Sequence, residues 1–482
     1  MSVIALDVGT SRVKAVRFDD AWQAVDTASE NTVVHKTRAG HSEQNPLEVH
    51  AAACRVIAQV AERCPDEVRL LAVTAQGDGC WLVDAEGKPI RRALLWNDDR
   101  ATEFIEEWER DGTLADAFRV TGCDGSPGLA HAQLRWLHKH EPATLERAAT
   151  LLSCGSWIYF RLTGRRVLEV SDAANPFLDA RTRRYDPALL TRYGLHEYAR
   201  LLPEVVAEAD RIGELGHDAA VAVGLPAGTP VSLAPYDVAA TASGCGILDE
   251  GRAFAVLGTT LCVGVVTGDP NLERPRSGMT LPGPRPDQWL ICHATMIGTE
   301  VLDWTARLLG VPDTASLLKL AAEARPGEQP LLLPYLSPAG ERSPFRNASI
   351  RGSLLNIDIN HTRADIARAA ADGLTLAVRD CLTAAGPAES VVLCGGGARS
   401  DLWRQAICDA IGRPVTAPDT EELTARGAAL LGAADLGLFD SLADAVDAAV
   451  RPGAEHHPDP VQTTRFDEAY DRFLQARAAT GN

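Results

Sequence analysis

The sequence predicts an α/β protein of two or three domains with a duplicated architecture. Three observations carry this expectation. An apolar strand–turn–strand run opens the chain and recurs at 253–266. A strand at 390–394 runs into three consecutive glycines and then a helix. The length, 482 residues, is long for one core.

In the opening run, Val3–Val8 and Val13–Phe18 are strand formers around a turn of Gly9, Thr10 and Ser11. Gly9 is free to take φ > 0, which lets backbone N–H groups converge. Thr10 and Ser11 add hydroxyl donors, and Arg12 and Lys14 add positive charge. Such a turn can hold a phosphate, with Asp7 placed to recruit a divalent cation, and it also fits an ordinary polar hairpin turn. The run Ala253–Val266 repeats the pattern through Gly258, Thr259 and Thr260. Two such loops across a cleft would clamp a nucleotide; chance recurrence of a Gly-Thr turn is the alternative.

A helix-like stretch covers Glu48–Cys64, and a strand over Arg69–Thr74 breaks into Gln76, Gly77, Asp78 and Gly79. Trp81–Asp84 and Ala93–Trp96 frame a hairpin-like connection. Asn97, Asp98, Asp99 and Arg100 follow, where a strand hands over to a helix near Ala101. Polar residues at strand ends commonly line ligand clefts in α/β proteins, while Asp98 or Asp99 could equally cap the helix. Residues 111–231 read as a mainly helical, turn-rich insertion that shapes a pocket wall. Next, Pro230–Tyr236 is an apolar strand ending at Asp237, followed by small residues to Gly244. Asp237 is a helix cap or a cleft carboxylate.

In the last third, Thr362 and Asp365 form an acidic capping box for a helix with Ile366, Ala370, Gly373, Ala377 and Cys381 on one face. Strand Ser390–Cys394, the turn Gly395–Gly397 and a helix from Ser400 to Ile411 suit a nucleotide, because the backbone can approach it closely. The rival, a Rossmann dinucleotide fold, wants Gly-x-Gly-x-x-Gly after the first strand of a unit, which this late triplet lacks. A final helix, Glu421–Ala434, has Asp419 and Glu422 as a capping pair.

Composition is that of a globular protein, 46% hydrophobic and 23% charged. The net charge of −18 argues against nucleic acid as a partner. There is no apolar run long enough for a membrane helix and no basic-then-apolar leader. The 11 cysteines are scattered singly with no metal-ligand spacing, which fits a reducing cytoplasm.

Taken together these motifs resemble the FGGY carbohydrate kinases over nearly the whole chain. The resemblance rests on Asp7-x-Gly9-Thr10-Ser11, Trp96-Asn97-Asp98-x-Arg100, Leu162-Thr163-Gly164 with Ser171-Asp172, and Asp237. Leu257-Gly258-Thr259-Thr260, Pro334-Tyr335-Leu336 with Gly340-Glu341-Arg342, His361–Asp365, Gly395–Ser400 and Ala425–Ala429 complete it. It implies two actin-like (ribonuclease H-like) ATPase domains with a nucleotide and substrate cleft between them. An N-terminal domain over 1–243 would carry the substrate side and first phosphate loop, and a C-terminal domain over 244–440 the nucleotide side. A helical segment, 441–482, would pack back on the body.

The resemblance also implies ATP-dependent phosphorylation of a small sugar or polyol with Mg²⁺. By it Asp237 is the general base, Asp7 holds the metal through water, and Thr10, Ser11, Lys14, Gly258 and Thr259 grip phosphates. Gly396, Gly397 and Ser400 lie along the adenosine, Gly298 lines the nucleotide site, and Gln76, Gly77, Asp78, Trp96, Arg100 and Asp237 meet the substrate. D-xylulose kinases carry Met-His after the glutamine of the first substrate loop, where this chain has Gly77-Asp78. That is more similar to the branch acting on L-xylulose, 3-keto-L-gulonate or erythritol. Ser156, where the family often has Asp, is a second departure. A nucleotide-gated sugar sensor or interaction protein of the actin/Hsp70 type is the alternative, and a homodimer stays open.

Overall fold

A computed structural model describes residues 2–480 apart from 65, 326 and 328. Two sheets of one topology organise it. In the first, Ser2–Val8 pairs antiparallel with Arg12–Phe18, which pairs antiparallel with Ala24–Asn31. On its other side Ser2–Val8 runs parallel to Val68–Ala75, and that strand runs parallel to Pro230–Leu233. The second sheet repeats this order with Arg252–Leu257 in the first role. Leu261–Thr267 and Trp289–Ala294 follow antiparallel, and Ser390–Cys394 and Val415–Pro418 follow parallel. The two turns that resemble phosphate loops are thus equivalent hairpin turns in a duplicated unit. Gly9 does not use the left-handed region; its N–H donates to Arg12 O at 2.9 Å and closes the turn.

The central strands of each sheet are buried on both faces, and alternation along them decides which residue serves which face. Ile4, Leu6 and Val8 meet the helix Pro46–Glu62 through Val49, Val56, Ile57 and Val60. Val3, Ala5, Val16 and Phe18 point the other way, onto Ala425, Ala428, Ala429 and Leu430 of the helix Leu423–Asp435. That helix is late in sequence yet covers the first sheet. Reciprocally, the helix Asp237–Gly244 lays Ala239 and Ala242 against Phe254, Leu290 and Val392 of the second. The two helices cross at glycines: a Cβ on Gly427 would lie 1.8 Å from Ala240 O, and one on Gly244 1.9 Å from Leu423 O. Buried Arg426 locks the crossing, donating to Gly244 O at 3.0 and 2.8 Å and to Asp419 Oδ1 at 2.7 Å.

Several local expectations change. Asp419 and Glu422 do not cap Leu423–Asp435, which has no side-chain cap bond; both carboxylates hold cations instead. The hairpin expected over 81–96 is a tight turn closed by Asp84 N to Lys88 O. Its arms are bridged antiparallel at Val83–Pro89 and Cys80–Leu94, and each also pairs outward, Trp81–Val83 with Thr150–Leu152 and Ala93–Leu94 with Glu43–Gln44. The capping box at Thr362 and Asp365 forms as expected, on the helix Arg363–Ala385. Beyond residue 441, Leu442–Ala449 joins the first sheet's cover, Pro452–His456 adds an edge strand to the second, and Pro460–Thr480 packs through Phe466 and Phe473. That strand is an addition to an expected helical segment, whose residues 481–482 lie outside the described residues.

Candidate active site

Asp237 begins its helix after three linking residues beyond the strand Pro230–Leu233, so the fold points it at the crossing of the two halves. Its Oδ1 accepts the N–H of Val238 at 2.7 Å, a helix N-terminal donor. Oδ2 has no protein partner among the described residues. Burial pushes the carboxyl up to about 7; the charges of Asp7 and Asp78 add to the rise, and the Val238 N–H opposes it.

Asp7 ends the first strand opposite Lys14 in the hairpin register. Burial raises it to about 6, Lys14 opposes the rise and Glu422 adds to it. Its carboxylate has no hydrogen-bond partner among the described residues, so a hard divalent cation fits it chemically. No group of three His, Cys, Asp or Glu forms a metal cage among the described residues. Lys14 turns its Nζ to Glu422 Oε2, at 2.5 Å.

The first loop is wired to the expected substrate residues. Trp96 Nε1 donates to Thr10 Oγ1 at 2.9 Å, which donates to Gln76 Oε1 at 2.6 Å. Buried Gln76 donates in turn to Gln44 Oε1 at 2.8 Å. Ser11 is exposed at the tip. A Cβ on Gly77 would meet the Tyr236 ring at 2.6 Å, so glycine lets this loop close onto the residue before Asp237. Asp78 then takes a left-handed φ of 59°, a strained conformation for a side-chain-bearing residue. Burial pushes its carboxyl up to about 7 against Arg342 and the Asn175 amide, whose Nδ2 lies 3.0 Å from Asp78 Oδ1.

Arg100 stands apart from this group. It is buried in an ion cluster with Asp98 at 2.7 Å and Glu43 at 2.9 Å, stacked 5.0 Å from the Trp136 ring. Its Nε and Nη2 are taken up by these two carboxylates. Asp98 likewise is neither a cap of the next helix nor a cleft carboxylate; it accepts Ser42 N at 2.6 Å and pairs Arg100.

On the nucleotide side, Gly298 N donates to Thr259 O at 2.6 Å, and Thr299 N and Oγ1 donate to Gly258 O at 2.8 and 2.9 Å. A Cβ on Gly298 would meet Gly258 O at 2.6 Å. The glycine turn is adjacent: a Cβ on Gly397 would lie 2.3 Å from the Trp403 ring and 2.9 Å from Leu257, the residue before Gly258. Gly396 is exposed, and Ser400 Oγ caps its helix by accepting Trp403 N at 3.3 Å. The fold therefore gathers Gly258, Thr259, Gly298, Gly396 and Gly397 at one place.

Sequence reading missed the support around Asp237. Ser171 Oγ accepts Tyr236 N at 3.1 Å, and Glu169 Oε2 accepts Ser171 N at 2.6 Å. Burial and nearby carboxylates hold Asp172, beside them, well above the usual range. The Ser171-Asp172 motif was the only signal, and it carried no role.

A duplicated sheet, two equivalent Gly-Thr turns and a carboxylate between them define a phosphotransferase of the sugar-kinase type. The models of the FGGY family of carbohydrate kinases match here, the N-terminal domain over residues 2–244 and the C-terminal domain over 253–436. This chain belongs to that family and is an ATP-dependent sugar or polyol kinase. It is similar to erythritol kinase of Brucella abortus (strain 2308), 31% identical over 501 residues, covering 99% of this chain and 96% of the relative. Xylulose kinase of Bacillus subtilis (strain 168) is 29% identical, over 98% of this chain and 95% of the relative. The crystal structure of xylulose kinase from Rhodospirillum rubrum superposes with a TM-score of 0.89 at 26% identity, over 99% of both chains.

Proposed function

We propose that this kinase transfers the γ-phosphoryl group of ATP to a hydroxyl of a small neutral polyol or ketose, a tetritol such as erythritol or a ketopentose such as L-xylulose or D-xylulose. The observation that carries the reading is Asp237: a carboxylate raised to about 7, fixed at one oxygen and open at the other, between two phosphate-type turns. Oδ2 would accept the proton of the attacking hydroxyl as the bond to phosphorus forms, a task for a base poised near the working pH. Lys14 and the backbone N–H groups around Thr10, Ser11, Gly258 and Thr259 would position the phosphates, and Gly396, Gly397 and Ser400 would flank the adenosine. Asp7 would hold Mg²⁺, which supplies charge neutralisation on the transferring phosphoryl group.

Gln76, Gly77, Asp78 and Trp96 would form the substrate wall. Asp78 adds to the rise of Asp172 and of Asp237, and Asp237 to that of Asp172, so carboxyls crowd this side of the cleft, which favours neutral substrates over a sugar acid such as 3-keto-L-gulonate. The 31% identity to an erythritol kinase and the Gly77-Asp78 pair support the tetritol. The cysteines of the described residues are all free thiols, which agrees with a cytoplasmic setting. The test is an ATP-consumption screen over tetritols, pentitols, pentuloses and 3-keto sugar acids. Turnover of a neutral polyol or ketose is expected. Preference for the acid, or no turnover with ATP still bound, would overturn the reading.

A further inference from the structure

The loop between Leu331–Leu333 and Ser353–Leu355 brings Arg342 to the cleft from the half of the chain that carries the second phosphate turn. Its backbone is fastened by a buried carboxylate. Glu341 Oε1 accepts the N–H of Met296 at 2.9 Å, of Arg342 at 2.8 Å and of Ser343 at 3.3 Å. Ser343 Oγ lies 2.8 Å from Nδ1 of fully buried His293. The side chain is fixed at one end as well, with Nε donating to Ala294 O at 2.8 Å. Both Nη groups have no protein partner among the described residues. The guanidinium carbon lies 5.7 Å from the centre of the Trp96 ring, on the other half of the chain. Its charge acts on Asp78 and on Cys262.

A guanidinium with Nε pinned and its fork left open is a preorganised double donor. Opposite it, Asp78 has Oδ1 occupied by Asn175 and Oδ2 unoccupied by any side chain. A hydroxyl both donates and accepts. A fixed donor and a fixed acceptor close enough for the guanidinium charge to act on the carboxyl together read a hydroxyl, or a vicinal pair.

We propose that Arg342 is a substrate-binding residue. Its Nη groups and the Asp78 carboxylate bracket hydroxyls of the polyol. The inference rests on reading this cleft as the sugar site. Because Arg342 arrives from the nucleotide half, the sugar would touch both halves of the chain, and its site is complete only when they are together.

The test uses the full chain and the best substrate from the screen, with Arg342→Gln and Arg342→Lys. Loss of a hydrogen bond to a charged donor raises the sugar KM about 10- to 100-fold in Arg342→Gln. Arg342→Lys, which keeps charge but not the fork, falls between that and wild type. The expected kcat stays within about threefold and the ATP KM within about twofold. Sugar binding without ATP, measured by calorimetry, weakens in parallel. A deoxy analogue lacking the bracketed hydroxyl binds wild type and Arg342→Gln alike. An unchanged sugar KM, or a loss confined to kcat, overturns the inference, the latter placing Arg342 on the phosphoryl group. Absence of turnover by wild type on every sugar would defeat the substrate reading itself. Turnover with a sugar KM indifferent to Arg342 defeats only this inference.

Discussion

Lys14 Nζ lies 2.5 Å from Glu422 Oε2, joining the first hairpin to the residue that precedes the helix Leu423–Asp435. Both side chains are about a quarter exposed, so the pair contributes little stability, about 0–1 kcal/mol. Its effect is on where the ammonium points. Glu422→Gln releases Lys14 toward the phosphates and is expected to lower the ATP KM about two- to threefold. Lys14→Met raises it about three- to tenfold. Initial rates against ATP at saturating sugar decide; equal, unchanged values would remove Lys14 from the phosphate site.

Replacing the base tests the chemistry. Asp237→Asn keeps the shape and the Val238 contact but cannot accept a proton. We expect kcat to fall about 10²- to 10⁴-fold while sugar affinity by calorimetry stays within about threefold. Turnover within tenfold of wild type would assign the base elsewhere.

The pH profile follows from the direction of the shifts. Asp237 must be ionised to act and is raised to about 7, so kcat/KM should climb through pH 6–8 and level above. Stability runs the opposite way. Asp7, Asp78 and Asp237 hold protons more tightly folded than unfolded, so their contribution is complete below about pH 4. It declines as pH rises through about 6–7, where the folded groups ionise. Asp237→Asn should therefore raise the Tm at pH 8, by about 1–3 °C, and leave it unchanged at pH 4. Thermal scans at both pH values check this.

Gly427→Ala probes the helix crossing. The new Cβ meets backbone at Ala240, one turn beyond Asp237, and backbone cannot rotate away. A destabilisation of about 2–4 kcal/mol is expected in urea unfolding. Folded variant should also lose kcat, because the helix that presents Asp237 has to shift.

The duplicated hairpins were legible because alternating strands around Gly-Thr turns constrain their own local geometry, and the glycine turn at 395–397 and the box at Thr362 share that property. Arg100 and Asp98 illustrate the limit. Adjacent to Trp96 in sequence, they looked like cleft residues, yet burial beside Glu43 turned them into an ion cluster, a choice made by a segment some fifty residues away. Glu422 and Asp419 looked like caps for the same reason: capping is local, while Lys14 and the Gly244 crossing are not. Arg342 was visible as part of a motif, but its facing partners Asp78 and Trp96 come from the other half of the chain. Pairing across a fold of this length leaves no trace in spacing.

The helix Leu423–Asp435 also has a bearing on how the chain is made. One face of the first sheet, with Val3, Ala5, Val16 and Phe18, has no cover until residues 423–449 exist. At ribosomal speeds those residues emerge tens of seconds after the opening hairpin. During synthesis the N-terminal half carries a bare apolar surface that nothing already translated can shield, so nascent chains should bind chaperones through that face and release them only near completion.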